Sequence, residues 1–509
     1  MNWKKIAKHI LLICVSGAML FAIWAHRERI KMYGGLTKEV DYKQFTPSTT
    51  AVVINNVNLL APGGTAFIPQ QTVYIDQGLI VSIDSVPNHS GEILTIDGKD
   101  KFLIPGLIDS HVHLYKSPND LLLYVANGVT QIREMVGEKD HLKWRQQIKD
   151  GRTGPQMYIA SPRFGTFGTL KGWFMTWTQG YVNVQNARQA ERAVEKFHRQ
   201  GYDGLKIYNQ MSKACYRAVN ERAQSLDMDV VGHIPWSVGL SGLWDSAQSE
   251  IAHIEVLMIA LNREFGYFNA ENSEAFLAFV EERADEIAAN LIKNDIAVTS
   301  TLYGPANLVR QKFELDSLLK EIKLQYVNPG LSEGNPLAFW ATGWLPEVNR
   351  YQIPDNLTPK DIAERKKYWE AYTDACKLLA SNLIKSGVKI FAGTDANTPL
   401  SVPGFSLHDE LEILVQAGMS PSQALQAATA SPADWLNTKT GKIVQGYEAN
   451  MVLLDENPLH AIANTRTINT VILKGRVFDR SLLDQMLAAV KEANDSSRNK
   501  DISRYLISK

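Results

Sequence analysis

Between residues 105 and 437, apolar strand-like runs alternate with stretches of helical period, and this alternation limits the fold more than any other feature. The runs are 102–113, GVTQIREM, QMYIAS, GLKIY, DVVGHIP, EIAHIEV, IAVTSTL and VKIFAGTD, with helix-period segments such as ARQAERAVEKFHRQ between them. A helical crossover returns the chain to begin its next strand in the same direction, so the pattern predicts a parallel α/β fold. Eight such runs are the number a closed (β/α)8 TIM-type barrel needs, and that architecture gathers its chemistry at the C-terminal strand ends. The stretch 276–294, rich in Glu, Arg and Ala, reads as a scaffold helix. An insertion at about 303–385 is too long for a simple connection. Its segment GNPLAFWATGWLPEVNRYQ suits a lid or pocket wall, with a purely structural insertion as the alternative.

Short β-rich runs flank this region (105–437). Residues 51–104 hold AVVINNVNLL, TVYI and LIVSID, and the same texture returns at 438–480 in GKIVQGYEANMVLLDENP and INTVILKGRVF. Both ends of the chain therefore predict one composite β-sandwich domain. Residues 1–33 read as a signal anchor or signal peptide. Lys4, Lys5 and Lys8 precede an apolar run at 10–25. A bilayer asks for about 20 apolar residues, which this run approaches if the lysines snorkel. Ala25, with Ile23 two positions before it, makes a poor cleavage site, and Ile13 argues against lipoprotein processing at Cys14. An N-terminal membrane helix with the catalytic part outside the cytoplasm is the expectation, and secretion after cleavage the alternative. Residues 34–50 read as a linker, and 481–509 as a helix followed by a loose, charged end.

The 53 Lys and Arg against 54 Asp and Glu give no reason to expect nucleic acid as a partner. Three cysteines (Cys14, Cys215, Cys376) are too few for a disulfide framework or a thiolate zinc cluster. A metal site must then draw on His, carboxylate or Lys. His111 and His113, at i and i+2, share one face of a strand. His233 ends DVVGHIP, His253 ends EIAHIE, and Asp395 closes VKIFAGTD. Each alone reads as a packed histidine or a helix cap. Five at predicted strand ends point to one site, and imidazoles with a carboxylate suit zinc and similar ions. Lys206, inside GLKIY, is opposed by desolvation. It either escapes to solvent or a carboxylate, or stays neutral and takes up CO2 as a carbamate able to bridge two cations. Tyr208 would share its face and could bond a substrate carbonyl or simply pack. His408 could line the mouth or serve a structural role, Trp340 and Trp344 could wall an apolar pocket, and Arg163 or Arg350 could meet a carboxylate.

In their order along the chain, FLIPGLIDSHVHL, NGVTQIREMVG, GYDGLKIY, VVGHIP, FAGTDANTPL and MSPSQALQAATASPADWLN resemble the amidohydrolase superfamily, and most its imidazolonepropionase-like and prolidase-like branch. The resemblance covers about 51–480. It implies His111, His113 and Asp395 on a more buried metal, His233 and His253 on a more exposed one, and Lys206 as a bridging N6-carboxylysine. The cofactors implied are two divalent ions, zinc foremost, sharing a hydroxide, with Asp395 as the catalytic proton carrier. The implied reaction is C–N hydrolysis of a small-molecule amide or dipeptide, with cyclic amides (lactam or imidazolone) and a non-catalytic metal-binding scaffold as alternatives. Homo-oligomerisation stays open.

Overall fold

The structure, a computed structural model, describes residues 3–48, 50–336, 338 and 343–506. Strands β1 (Ala51–Leu60), β2 (Phe67–Asp76), β3 (Leu79–Ile83), β4 (Ile93–Asp97) and β5 (Phe102–Pro105) come first. The middle of the chain supplies β6 (Leu107–Val112), β7 (Val129–Glu134), β8 (Gln156–Ile159), β9 (Phe164–Gly165) and β10 (Val182–Asn183). Then follow β11 (Gly204–Ile207), β12 (Asp229–Gly232), β13 (Gln248–Ile251), β14 (Ala297–Thr299) and β15 (Ile390–Phe391). Strands β16 (Met451–Leu454), β17 (Ile468–Leu473) and β18 (Arg476–Asp479) close the series.

The first and last groups form one eight-stranded sheet, ordered β18-β17-β16-β5-β1-β2-β3 with β4 paired to β1. The two ends of the chain meet where β5 runs antiparallel to β16, Phe102 opposite Leu454 and Pro105 opposite Met451. In β1, Val52 and Ile54 are buried, then Asn56 takes φ +57 and the register slips, so that Val57 and Leu59 are buried next. A bulge adds one residue and so re-phases a side-chain period of two. The expected sandwich is corrected here to a single curled sheet. Ile80 N donates to Tyr447 O at 2.9 Å and Gly446 N to Ile80 O at 2.8 Å, tying the β3 edge to the segment before β16. Twist and bulging bend one sheet over its own core of Val52, Ile75, Leu103, Leu453 and Ile472.

Strands β6-β7-β8 form a three-stranded sheet and β10-β9-β11-β12-β13-β14-β15 a seven-stranded one, every pair parallel. Isolated parallel bridges join the two sheets on both sides, Ala160 to Gly204 and Val112 to Ala396. Helices cover the strands by burying one stripe each. In Ala187–Arg199, Asn186 caps by accepting from Gln189 N, and Ala190, Val194 and Phe197 face inward at i, i+4 and i+7. Fully burying a Val or Phe side chain is worth about 1.5–3 kcal/mol.

Three expectations change. The linker at 34–50 is a strap held to the body: Val40 and Phe45 are buried, Val40 N donates to Asn119 Oδ1 at 2.9 Å, and Thr153 Oγ1 donates to Phe45 O at 2.6 Å. The boundary at 33 falls inside a docked segment, since Met32 is buried and Gly330 approaches Lys31 O so closely that any Cβ would overlap it. The tail is not loose through residue 506. After the helix Arg480–Ser497, Ile502 and Tyr505 are buried and Tyr505 Oη donates to Asp316 Oδ1 at 2.7 Å. A few apolar side chains in a polar stretch supply each hold, a long-range choice that local composition hides.

The insertion carries helices Tyr303–Phe313, Leu315–Glu321, Pro329–Glu333 and Pro359–Lys385. Trp344 is fully buried with Leu315, Leu318 and Val402, so it is core and not a pocket wall. Trp340 lies outside the described residues. At the other end of the chain, the helix Trp3–Met32 contains, within Lys8–Met32, an 18-residue window of mean hydropathy 1.8. Among the described residues it is the one helix long and apolar enough to cross a membrane, a test that signal sequences also pass.

Candidate metal centre

The parallel strands deliver their chemistry at their C-terminal ends. His111 lies on β6 with His113 just beyond it, Lys206 on β11, and His233 directly after β12. His253 follows β13 and caps the helix Ile254–Phe265, while Asp395 follows β15. The side chains converge. His113 Nε2 lies 2.9 Å and His111 Nε2 3.3 Å from Asp395 Oδ1. Ring centroids are 4.4 Å apart for His111 and His253, and 5.1 Å for His233 and His253. One donor atom each from His111, His253 and Asp395 fall within 4.8 Å of one another. Such proximity needs a small residue at Gly393, where a Cβ would sit 2.9 Å from that of His111 and overlap Thr299. Asp395 itself holds φ +52, in the left-handed region where strain of about 1–3 kcal/mol is tolerated when surrounding structure enforces it.

The residues around the cluster aim it. Asn209 Oδ1 only accepts, so His233 Nδ1, 2.8 Å away, carries the proton and Nε2 offers its lone pair. His253 Nδ1 is bonded to Thr301 Oγ1 at 2.9 Å, a hydroxyl that can donate or accept, so this contact fixes the orientation of the ring. Glu134 Oε1 lies 3.8 Å from His113 Nδ1 while its carboxylate accepts from Leu114 N and Val136 N. Asp109 accepts from Thr394 Oγ1 at 2.7 Å and from Thr394 N at 3.1 Å, joining β6 to the segment that carries Asp395.

Burial dominates the electrostatics. It lowers the Lys206 amine to about 8 against the opposing pull of Glu250. It lowers His253 to about 3, and His111 and His233 well below the usual imidazole range, with neighbouring cationic groups adding to the effect. For Asp395 burial acts upward, but His113, His253 and Lys206 outweigh it and hold the carboxyl below its ordinary value. Both nitrogens of His111, Nδ1 of His113 and Nζ of Lys206 are buried without a hydrogen-bond partner. Buried polar atoms are costly to leave unmet. At His113 burial acts downward, but Asp395 and Glu134 outweigh it and raise the imidazole. Neutral imidazoles at His111, His233 and His253, an anionic carboxylate and a depressed amine are a donor set that fits divalent metal.

Residues 378–478 match the amidohydrolase family. Over 104 residues the chain is 36% identical to an ochratoxinase of Aspergillus niger, which is 19% of this chain and 21% of that protein, so the match spans about a fifth of the relative's length. Among solved structures, a bottromycin amidohydrolase superposes with TM-score 0.68 at 19% identity, over 91% of this chain and 96% of the other. A Xaa-Pro dipeptidase with bound methionine gives TM-score 0.58 at 19% identity, over 84% and 100%. The family match thus covers the segment 378–478, about a fifth of the chain. The likeness to these solved structures shows a shared α/β fold.

Tyr208 stands beside the cluster, its ring centroid 4.1 Å from that of His233. The Arg163 guanidinium lies 5.5 Å from the Tyr208 ring and 5.0 Å from that of Tyr181. Arg350 is exposed and donates to Pro336 O. His408 is corrected from a mouth residue to a packing one. Its Nδ1 is bonded to Thr465 Oγ1 at 2.9 Å and its Nε2 to Asn127 O at 3.2 Å, so both nitrogens are used inside the fold. Glu134, Asp109, Asn209 and Thr301 were not singled out along the sequence. Asp109 left a signal, an acid inside the apolar run FLIPGLIDS; Glu134 sits in the mixed strand VTQIRE, and it, Asn209 and Thr301 left none.

Proposed function

We propose that this protein is a metal-dependent hydrolase that cleaves the C–N bond of a small-molecule amide, dipeptides included. The carrying observation is the set of buried, unpartnered donor atoms on His111, His113 and Lys206, converging with Asp395, His233 and His253. It agrees with the divalent metals that the family generally uses. On this reading β6, β7, β8, β11, β12, β13, β14 and β15 close as one (β/α)8 barrel through the bridges at Val112 and Ala160, and the strands from both chain ends make one accessory domain.

Six residues would hold the metal ions: His111, His113 and Asp395 one of them, His233 and His253 a second, with carboxylated Lys206 between. Carboxylation forms an N–C bond between neutral Nζ and dissolved CO2 and releases one proton. Bound divalent ions, zinc foremost, would acidify a water molecule and polarise the scissile carbonyl. The chain's own groups do the rest. Asp395 Oδ1 faces the two imidazoles, so Oδ2 takes a proton from the nucleophile and passes it to the leaving nitrogen. Asn209 Oδ1 keeps His233 in one tautomer, and Thr301 Oγ1 fixes the orientation of the His253 ring. The Tyr208 hydroxyl is within reach of a substrate carbonyl beside His233. The apolar N-terminal helix acts as an uncleaved anchor, with the catalytic part outside the cytoplasm.

Elemental analysis of the full chain tests the centre. About two equivalents of metal are expected, falling in Lys206→Ala. A single equivalent indifferent to Lys206 would return that lysine to structure, and none would leave a scaffold. Asp395→Asn, screened on Xaa-Pro dipeptides, N-acyl amino acids and cyclic amides, should lose about 10²–10⁴-fold in turnover, the usual worth of a general acid–base group.

A further inference from the structure

The N-terminal helix does not end in solvent. Its basic last turn, with Arg29 and Lys31, is followed by Tyr33, whose ring lies 5.0 Å from that of Tyr115; Tyr115 in turn lies 5.6 Å from His113. Lys116 N donates to Tyr33 O at 2.9 Å. Ten residues separate Ile23, within the apolar run, from Tyr33, about 15 Å if helical throughout. A docked, short connection therefore joins the apolar run to the candidate metal centre, where a free tether would let the two move independently.

A second element flanks the same place. The helix Thr169–Gln179 receives a hydrogen bond from Arg29 Nη1 to Trp177 O at 3.3 Å. At its other side Gln179 O accepts from Arg163 Nη2 at 3.2 Å, and Tyr181 meets Tyr208 edge-on at 5.7 Å. It thus spans from the anchor's end to the residues around His233. Gly172 and Thr178 are buried, yet Leu170 is 85% and Trp173 67% exposed. Trp173 stacks on Trp177 at 5.8 Å, and with Leu170 these residues, at i, i+3 and i+7, share one face.

We propose that this face lies on the bilayer surface beside the anchor, so that the metal centre opens at the lipid–water boundary. The inference rests on the reading of the N-terminal helix as an uncleaved anchor. The occupant is lipid for three reasons. The exposed face is tied to a helix whose Ile10, Leu11, Leu12, Ile13, Leu20 and Phe21 are all more than half exposed. Indole rings beside a lysine, here Lys171, suit the headgroup layer. The basic end of the anchor favours anionic lipid at that level. An amide that partitions into the bilayer then reaches the centre without leaving the interface.

The test uses the full chain in vesicles of phosphatidylcholine and phosphatidylglycerol, with an environment-sensitive thiol label. Native Cys14 is exposed on the apolar helix, while Cys215 and Cys376 are buried. Three proteins are labelled: the wild type at Cys14, and Leu170→Cys and Arg217→Cys each with Cys14→Ser. Arg217, 78% exposed on the helix Lys213–Gln224, is the aqueous control. The label at 170 should be quenched by lipid carrying a nitroxide near the headgroup and shielded from iodide, as expected roughly 5–10 Å into the interface; the label at 217 should show the reverse. If Cys14 is quenched by lipid while 170 behaves like 217, the anchor stands and the proposed surface falls. Iodide shielding at 170 without lipid quenching would mean a protein partner and would overturn the proposal. If Cys14 is not quenched either, the anchor reading itself fails and takes this one with it.

Discussion

Asn209 and Thr301 show what single residues contribute around the candidate metal centre without joining its donor set. Each holds the Nδ1 side of an imidazole and so decides which nitrogen faces inward. Asn209→Ala and Thr301→Val should each weaken metal binding by about 10–100-fold, the usual effect of losing an orienting partner. Competition against a chelator of known affinity reads this directly, and unchanged affinity would make both residues packing groups. His408 illustrates the opposite role. Burial, with Arg466 adding to it, lowers its folded pKa to about 3, against 6.5 for the free group. As pH falls below 6.5 the unfolded chain binds a proton that the folded chain refuses until about 3, so stability falls with pH across that window. At pH 5 this one site costs about 2 kcal/mol. The difference in stability between pH 7 and pH 5 should shrink by about that amount in His408→Gln; equal pH slopes would remove the histidine from the account. The strand-end histidines were legible because i, i+2 spacing and position after an apolar run are local. Asn209 and Thr301 were not, because their partners lie 24 and 48 residues away.

At the scale of elements, the N-terminal helix joins two unlike halves. Its apolar part is exposed, whereas its last turns carry Met32 into the body and place Arg29 on Trp177 O and Glu28 on Asn335. A chain starting at residue 26 keeps these contacts and a chain starting at 34 loses them. The shorter chain should melt a few degrees lower, since a buried Met alone is worth about 1.5–3 kcal/mol. Coincident melting curves would show the docking to be energetically idle. Hydropathy revealed the apolar half. The docked half stayed hidden because charged residues on a short amphipathic stretch look the same whether one face meets solvent or protein.

Across the whole molecule, the sheet shared by both chain ends couples segments more than 340 residues apart, with Leu103 opposite Leu453 at the joint. Ile472 belongs to its core and is fully buried. Ile472→Ala should cost about 2–5 kcal/mol. Hydrogen exchange should then speed up in β1 and β5 as well as in β17, because one cooperative unit opens together. Faster exchange confined to β16–β18 would mean that the two limbs are stable separately.

The sequence alone determined the alternation of strand and helix, the β-rich texture of both ends, and the residue types able to hold metal. These are short-range properties, carried by side-chain period and by which residue ends an apolar run. The tertiary structure decided the rest: one curled sheet in place of a sandwich, the strap and tail bound to the body, and His408 turned into the core. It also decided how closely Gly393 lets Asp395 approach His111. Each of those depends on which distant surfaces meet, and the energy of a contact is set by the partner as much as by the residue itself.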